Sequence, residues 1–313
     1  GFMVCLLWCG FLGYANVYLK DRAPQTVVET SNRFHIQLLI AVPLLANNLS
    51  VSLQKRVARE SAPRRWAFGA MKGVSLAVQR IAPGAGISFA KRALFGKILP
   101  QLLGTDVDCI ILGGSHTPQE HLKNLSALGY YTVCGFGMTE TAITSVETTM
   151  SLRTRLSGSV GMPLTSAEYR VTPGDDKVSN RGEMAIRGES IHTGRLIDGQ
   201  LVGPDTDAEG WYQTGDVVRL EQGNRMYVEG RIKDVIINES GENVYPDELE
   251  DVYAHLTGVE QLSVLGLPRD GHYEDITLVM NVGARMEDDL FLHQLQGQIA
   301  EINARQPVLK KLT

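Results

Sequence analysis

Two apolar runs of strand length flank one short helical pattern near the middle of the chain, and few folds accommodate that order. Val107–Leu112 is the first run, a helical pattern extends from Pro118 to Leu128 with Gly129 as its stop, and Tyr130–Cys134 is the second. Strand, helix and strand in succession call for a crossover connection and hence a parallel sheet, with ligands gathered at the carboxyl ends of its strands. The run GGS (Gly113, Gly114, Ser115) follows the first strand, and GFGMTE (Gly135–Glu140), completed by Thr141, follows the second. Both glycine-bearing runs therefore fall at one edge of the sheet.

The chemistry of the second run is that of a nucleotide site. Gly135 and Gly137 permit close backbone approach, Phe136 offers a face for a flat ring, and Met138 continues the loop. Thr139 can donate to a phosphate oxygen, and Glu140 can hold Mg²⁺. By itself the run also fits a tight turn beside a buried strand. Two later segments add weight: WYQTGD at Trp211–Asp216, and GRIKDVIINESGENVYPDELE from Gly230 to Glu250.

Taken in order, these four segments resemble the adenylate-forming superfamily of acyl-CoA synthetases, carrier-loading adenylation domains and luciferases. The resemblance covers most of the chain. It implies that Gly113, Gly114 and Ser115 form one wall of an adenine pocket and Phe136, where the family usually has Tyr, the other. Asp216 would accept hydrogen bonds from the ribose hydroxyls, with Arg231 near the sugar and phosphate. Thr139 would contact the α-phosphate and Glu140 the Mg²⁺ of ATP. Lys233 occupies the hinge position, and Gly241 would line the channel for a phosphopantetheine thiol. Each has a plainer reading: Asp216 as a turn cap, Glu140 as a surface residue, Lys233 as a linker lysine.

The expected fold is α/β: a parallel-sheet large domain with a β-rich subdomain, then a small α+β C-terminal domain. Residues 1–230 would be the C-terminal part of the large domain, with 1–157 as its α/β subdomain and 158–230 as its β-rich part. Residues 231–234 would be the hinge, and 235–313 an incomplete small domain. Residues 33–103 read as mostly helical, with core stripes at Met71, Val74, Val78 and Ile81 and at Ala90, Leu94 and Ile98. Short strands are expected at Ala167–Thr172, Glu183–Arg187, Asp216–Leu220 and Arg225–Val228. GSVGMP (Gly158–Pro163) and RGEMAIRG (Arg181–Gly188) look like connecting motifs of the same family, their glycines structural. In the small domain, a strand at Val235–Asn238 leads to a helix with Pro246 in its first turn. Strands at Leu262–Leu267 and Ile276–Val282 and a helix over about Glu287–Asn303 complete it.

Composition narrows the partners. A net charge of −5 and 43% hydrophobic residues describe an ordinary soluble protein and give no support to nucleic-acid binding. Cys5, Cys9, Cys109 and Cys134 lack paired metal spacing and read as buried, inert thiols of a reducing, cytoplasmic compartment. The uncharged opening, residues 1–19, reaches the length of a membrane span, but its three glycines and Asn16 favour a buried helix or helix–strand unit. Between Lys55 and Lys97 ten basic residues face Glu60 alone. Solvated helix faces explain them; the sharper reading is peripheral contact with anionic lipid or with CoA phosphates.

Two family elements are missing: a Ser/Thr/Gly-rich loop ending in Pro-Lys-Gly, and a C-terminal Gly-Lys. The expectation is a fragment cut at both ends, one that binds AMP weakly and turns over poorly. Within the superfamily, IAVPLLANNLSVSL, the basic helical insert and the two loops most resemble long-chain acyl-CoA synthetases. The implied function is an ATP-dependent acid–thiol ligase that forms an acyl-adenylate, takes a carboxylic acid (a fatty acid as best guess) and uses ATP/AMP, Mg²⁺ and CoA. A ligase loading a carrier protein and a non-catalytic nucleotide or acyl binder are the alternatives.

Overall fold

The computed structural model describes residues 7, 9–21, 23–173, 180–238, 240, 243–269, 273–307 and 310–312. Three parallel strands lead its first sheet: β1 (Leu38–Ala41), β2 (Cys109–Leu112) and β3 (Tyr131–Met138), with Leu38 opposite Cys109 and Cys109 opposite Tyr131. Two antiparallel strands extend it, β4 (Ala142–Val146) and β5 (Met162–Pro163), in the order β1-β2-β3-β4-β5. Ile110, Leu112 and Val133 are 1% exposed, so the centre of this sheet is covered on both faces, as parallel strands require.

Among the described residues before β2 are the helices α1 (Pro24–Arg33), α2 (Pro43–Ala58), α3 (Ala62–Ile81) and α4 (Pro83–Phe89). Each carries Pro in its first turn, where the missing N–H costs nothing. The crossover helix α5 (Gln119–Ala127) has Glu120 at its positive end, and Gly129 with φ +95° ends the segment. Ala46, Leu49 and Leu53 on α2 face inward at helical spacing, and α2 packs on α5, whose Leu122 and Leu125 are buried. The short α6 (Leu152–Leu156) starts on Ser151, whose Oγ accepts the Thr154 amide.

The helical reading of residues 33–103 misses β1, a four-residue apolar run too short to show strand alternation. It also chose the wrong face of α3. Val74 is 49% and Ile81 87% exposed, while Ser75, Leu76 and Gln79 are buried. Hydrogen bonds select that face. Ser75 Oγ donates to Ala127 O at 2.6 Å and Gln79 Nε2 to Ser126 O at 2.8 Å, holding α3 on the end of α5.

The region after residue 158 is β-rich, as expected. β6 (Ala167–Pro173), β7 (Arg181–Gly188), β10 (Tyr212–Glu221) and β11 (Arg225–Arg231) form a sheet in the order β11-β10-β7-β6; β8 (Arg195–Ile197) and β9 (Gln200–Val202) form a hairpin. The C-terminal module follows a turn at Ile232–Asp234 and contains β12 (Ile236–Ile237), β13 (Asn243–Val244), α7 (Pro246–Tyr253), β14 (Gln261–Pro268), β15 (Glu274–Asn281) and α8 (Asp289–Ala304). Asp288 caps α8 by accepting the Phe291 amide. The module has its own core, built on Leu249, Tyr253, Val264, Ile276 and Leu295.

By their contacts the residues group into two compact units. One comprises Gly1–Arg170, Ala185–Gln213 and Leu220–Tyr227; the other comprises Val171–Met184, Thr214–Arg219 and Val228–Thr313. This grouping does not follow the 230/231 boundary drawn from sequence: parts of β6, β7, β10 and β11 go with the C-terminal module. Among the described residues no helix is long and apolar enough to cross a membrane. The described part of the opening segment is not buried either, with Leu7 at 55%, Phe11 at 91% and Tyr14 at 64% exposure.

Candidate nucleotide site

In the first unit, the carboxyl ends of β1, β2 and β3 bring Val42, Gly113–Ser115 and Gly135 to one edge of the sheet. Gly113 and Gly135 meet there. A Cβ on Gly113 would stand 3.0 Å from Gly135 O, so the backbones approach as only glycine allows. Gly114 has φ +96°, which turns the chain away from β2.

GFGMTE differs from its sequence reading in one respect. The strand does not end at Cys134: β3 continues through Gly135, half-buried Phe136, Gly137 and Met138, pairing with β4. Only Thr139 and Glu140 lie in the turn. Gly137 is crowded, since a Cβ there would lie 2.5 Å from Ala142 O. Ala142 itself takes φ +58°, and Thr141 N donates to Met138 O at 3.3 Å. The turn that presents Thr139, exposed, and Glu140, half-exposed, is thus sterically fixed.

Two neighbouring supports were invisible in the sequence. The backbone N–H of His192 donates to Glu140 O at 2.7 Å, and its ring Nδ1 lies 3.2 Å from the same oxygen. The His192 ring packs edge-on against Tyr212. Glu147, just after β4 and 2% exposed, accepts from Ser159 Oγ at 2.7 Å, from the Thr149 amide at 2.8 Å and from Arg225. Burial pushes the Glu147 carboxyl up, but Arg225, Ser159 and the Thr149 amide outweigh it and hold its pKa below the ordinary value. Ser159 belongs to the GSVGMP motif, so that hydroxyl was the one available signal. Cys134 beneath the site is buried, and burial pushes its thiol up to about 12; Cys109 is pushed up to about 11 for the same reason. Both behave as inert thiols.

Trp211 is held between two guanidinium groups, Arg170 at 4.5 Å and Arg187 at 4.7 Å from its ring centre. Arg170 is in turn paired with Asp207 at 2.8 Å and Glu209 at 3.2 Å. The stack fixes the chain where it enters β10.

In the second unit, the Thr-Gly-Asp run lies within the long strand β10, where the sequence suggested a turn; Gly215, at φ +72°, supplies the local irregularity. Thr214 Oγ1 donates to Met184 O at 2.9 Å and accepts the Asp216 amide at 3.0 Å. Asp216, 4% exposed, is met by Arg231 Nε at 3.1 Å. A buried carboxylate with a cation at hand suits a group that accepts hydroxyl hydrogen bonds in its ionised form. Lys233 lies in the exposed turn Ile232–Asp234.

The structure therefore brings Gly113 to Gly135, keeps Thr139 and Glu140 on one turn, and joins Asp216 to Arg231. Gly241 lies outside the described residues. Among the described residues no group of three His, Cys, Asp or Glu side chains could hold a metal by itself. Glu140 offers a single half-exposed carboxylate on the turn, and Mg²⁺ is commonly held by one or two carboxylates together with substrate phosphates.

A parallel-sheet unit with a glycine notch and a hydroxyl–carboxylate turn at its carboxyl edge is the architecture of an α/β protein that gathers ligands at that edge. The chain belongs to the AMP-binding enzyme family, whose model matches residues 1–194. It is similar to the 2-succinylbenzoate–CoA ligase of Oceanobacillus iheyensis, with 29% identity over 165 residues, which cover 53% of this chain and 34% of that ligase. It is also similar to the 3-[(3aS,4S,7aS)-7a-methyl-1,5-dioxo-octahydro-1H-inden-4-yl]propanoyl:CoA ligase of Rhodococcus jostii, with 32% identity over 156 residues, 49% of this chain and 29% of the relative. The fold is that of o-succinylbenzoate CoA synthetase from Bacillus subtilis, solved with its acyl-adenylate intermediate: TM-score 0.65, 20% identity, 99% of this chain and 53% of that one. The matched stretches thus span about a third of the curated relatives' length and about half of the solved chain's.

Proposed function

We propose that this chain carries the nucleotide-binding machinery of an ATP-dependent acid–CoA ligase that works through an acyl-adenylate. The observation that carries the proposal is the family match over residues 1–194 together with the fixed Thr139–Glu140 turn at the carboxyl edge of the sheet. In this reading the substrate carboxylate attacks the α-phosphorus of ATP, pyrophosphate leaves, and the CoA thiol then displaces AMP from the acyl group. The protein's contribution is positioning and charge neutralisation.

In the first unit, the backbone of Gly113, Gly114 and Ser115 and the ring of Phe136 hold the base, with Gly135, Gly137 and Met138 setting the loop. Thr139 donates to the α-phosphate, and Glu140 is the carboxylate for Mg²⁺, which would neutralise phosphate charge when bound. In the second unit, Asp216 accepts the ribose hydroxyls, Arg231 holds Asp216 in place, and residues 231–234 with Lys233 form the hinge ahead of the 235–313 module.

For the acid, the relatives' names support a cyclic or aromatic carboxylic acid of the 2-succinylbenzoate kind. The layout that resembles long-chain acyl-CoA synthetases supports a fatty acid as the second reading. The test is acid-dependent ATP–pyrophosphate exchange by the full-length gene product with 2-succinylbenzoate and with palmitate, since this chain alone is expected to turn over poorly. Exchange with the first alone bears out the proposal, exchange with palmitate alone restores the second reading, and exchange with neither removes both.

A further inference from the structure

The grouping of the start of β7, the middle of β10 and the end of β11 with the C-terminal module has a visible cause. Arg181, at the start of β7, sits over the Tyr245 ring at 4.6 Å, with its Nε 2.5 Å from Glu229 Oε2 and its Nη2 3.6 Å from Glu248 Oε1. Arg219 on β10 reaches the other oxygen of Glu229 at 3.0 Å, and Lys310, near the end of the chain, pairs with Glu248. Gly230, at the end of β11, packs on the same aromatic ring: a Cβ there would stand 3.2 Å from Tyr245 Cδ1. Arg181, Arg219 and Glu229 precede the turn Ile232–Asp234, while Tyr245, Glu248 and Lys310 follow it. The ring and the charges thus bridge the turn from both sides. Burial lowers the Arg181 pKa, but Glu229 first and then Tyr245 and Glu248 outweigh it, leaving it raised.

We propose that Arg181, Glu248 and Tyr245 form a clasp across residues 231–234 that positions the C-terminal module in one orientation until the clasp opens. The inference rests on the hinge reading of Lys233 and names the residues that would govern it. Its pairs are partly exposed, at 26% for the Arg181 side chain and 36% for that of Glu248. Such pairs are weak and sensitive to salt. That suits a fastening that must release, because a strong buried pair would lock the module. Arg181 and Glu248 are accordingly positioning residues, acting through the segment they span.

Trypsin reads the clasp in the chain as it stands, because Arg231 and Lys233 lie in the spanned segment and both are exposed. Wild type, Arg181→Gln, Glu248→Gln and the double variant are digested briefly, and cleavage at 231–234 is measured relative to cleavage elsewhere. Each single substitution is expected to raise it about threefold to fivefold, as loss of one modest ion pair implies. The double variant should fall short of the product of the two singles, since both remove the Arg181–Glu248 contact while each also removes a contact of its own, Arg181 with Glu229 and Glu248 with Lys310. In wild type, raising NaCl from about 0.05 to 0.5 M should have the same effect, and the variants should respond less. Unchanged cleavage at 231–234, or an equal rise at every site, overturns the clasp. The salt series needs no substitution and decides the matter if a variant fails to fold. With 2-succinylbenzoate, pyrophosphate exchange and acyl-CoA formation should change by unequal factors in the variants, and equal changes overturn the positioning role. No exchange in any chain, wild type included, leaves cleavage to decide the clasp.

Discussion

Asp216 and Gly137, one in each unit, contribute in opposite ways. Asp216 is buried and already engaged by Arg231. Replacing its carboxylate with an amide keeps the shape and removes the charged acceptor. Asp216→Asn is therefore expected to weaken AMP binding about tenfold or more by calorimetry, the scale of a hydrogen bond to a charged group; unchanged affinity would remove its ribose role. Gly137 contributes absence: a methyl there collides with Ala142 O and Ile143 Cα. Gly137→Ala should cost about 1–3 kcal/mol in urea unfolding, the usual price of overpacking. The glycines, the Thr-Glu pair and Asp216 were legible because the resemblance to the adenylate-forming superfamily rests on those residue types in that order. His192 was not, since it supports Glu140 through a main-chain oxygen 52 positions away, and such a contact leaves no mark on residue type.

At the scale of elements, the strand–helix–strand unit was readable because Gly129 and the two apolar runs act locally. β1 and the buried face of α3 were not, because long-range partners decide them: β1 is a strand only beside β2, and Ser75 and Gln79 face inward only because they find carbonyls on α5. The join between β4, the GSVGMP segment and β11 is also long-range and runs through Glu147. Its carboxyl lies below the ordinary value in the folded state, so the pair stabilises above the usual glutamate range. That stabilisation fades as pH falls through the depressed folded value. Wild type should thus lose stability between about pH 5 and pH 3, a loss Glu147→Gln should not share. At neutral pH the variant should be less stable by about 1–3 kcal/mol, because Arg225 keeps no charged partner there. Urea midpoints measured across that range check both, and parallel curves for the two proteins would discount the pair.

For the whole molecule, each compact unit is assembled from three separate stretches of chain, which sequence order alone does not reveal. The C-terminal module is the exception, because its core from Ile236 to Leu295 is drawn from its own residues. Residues 235–313 are therefore expected to fold alone, showing dispersed amide resonances and a cooperative melt; a collapsed spectrum would mean that the module depends on β7. A segment of that size exceeds the limit at which single cores usually fail.

Strand β3 divides its loyalties along its length. Residues 131–134 run beside β2, whereas 135–138 lie past the end of β2 and are laced to β4 alone. The second half thus offers a main-chain flank to whatever approaches from the β2 side. Recognition by peptide groups is blind to side-chain drift. If the proposed nucleotide role holds, a lineage built on such a flank can exchange Tyr for Phe at 136 while main-chain contact with the base stays the same.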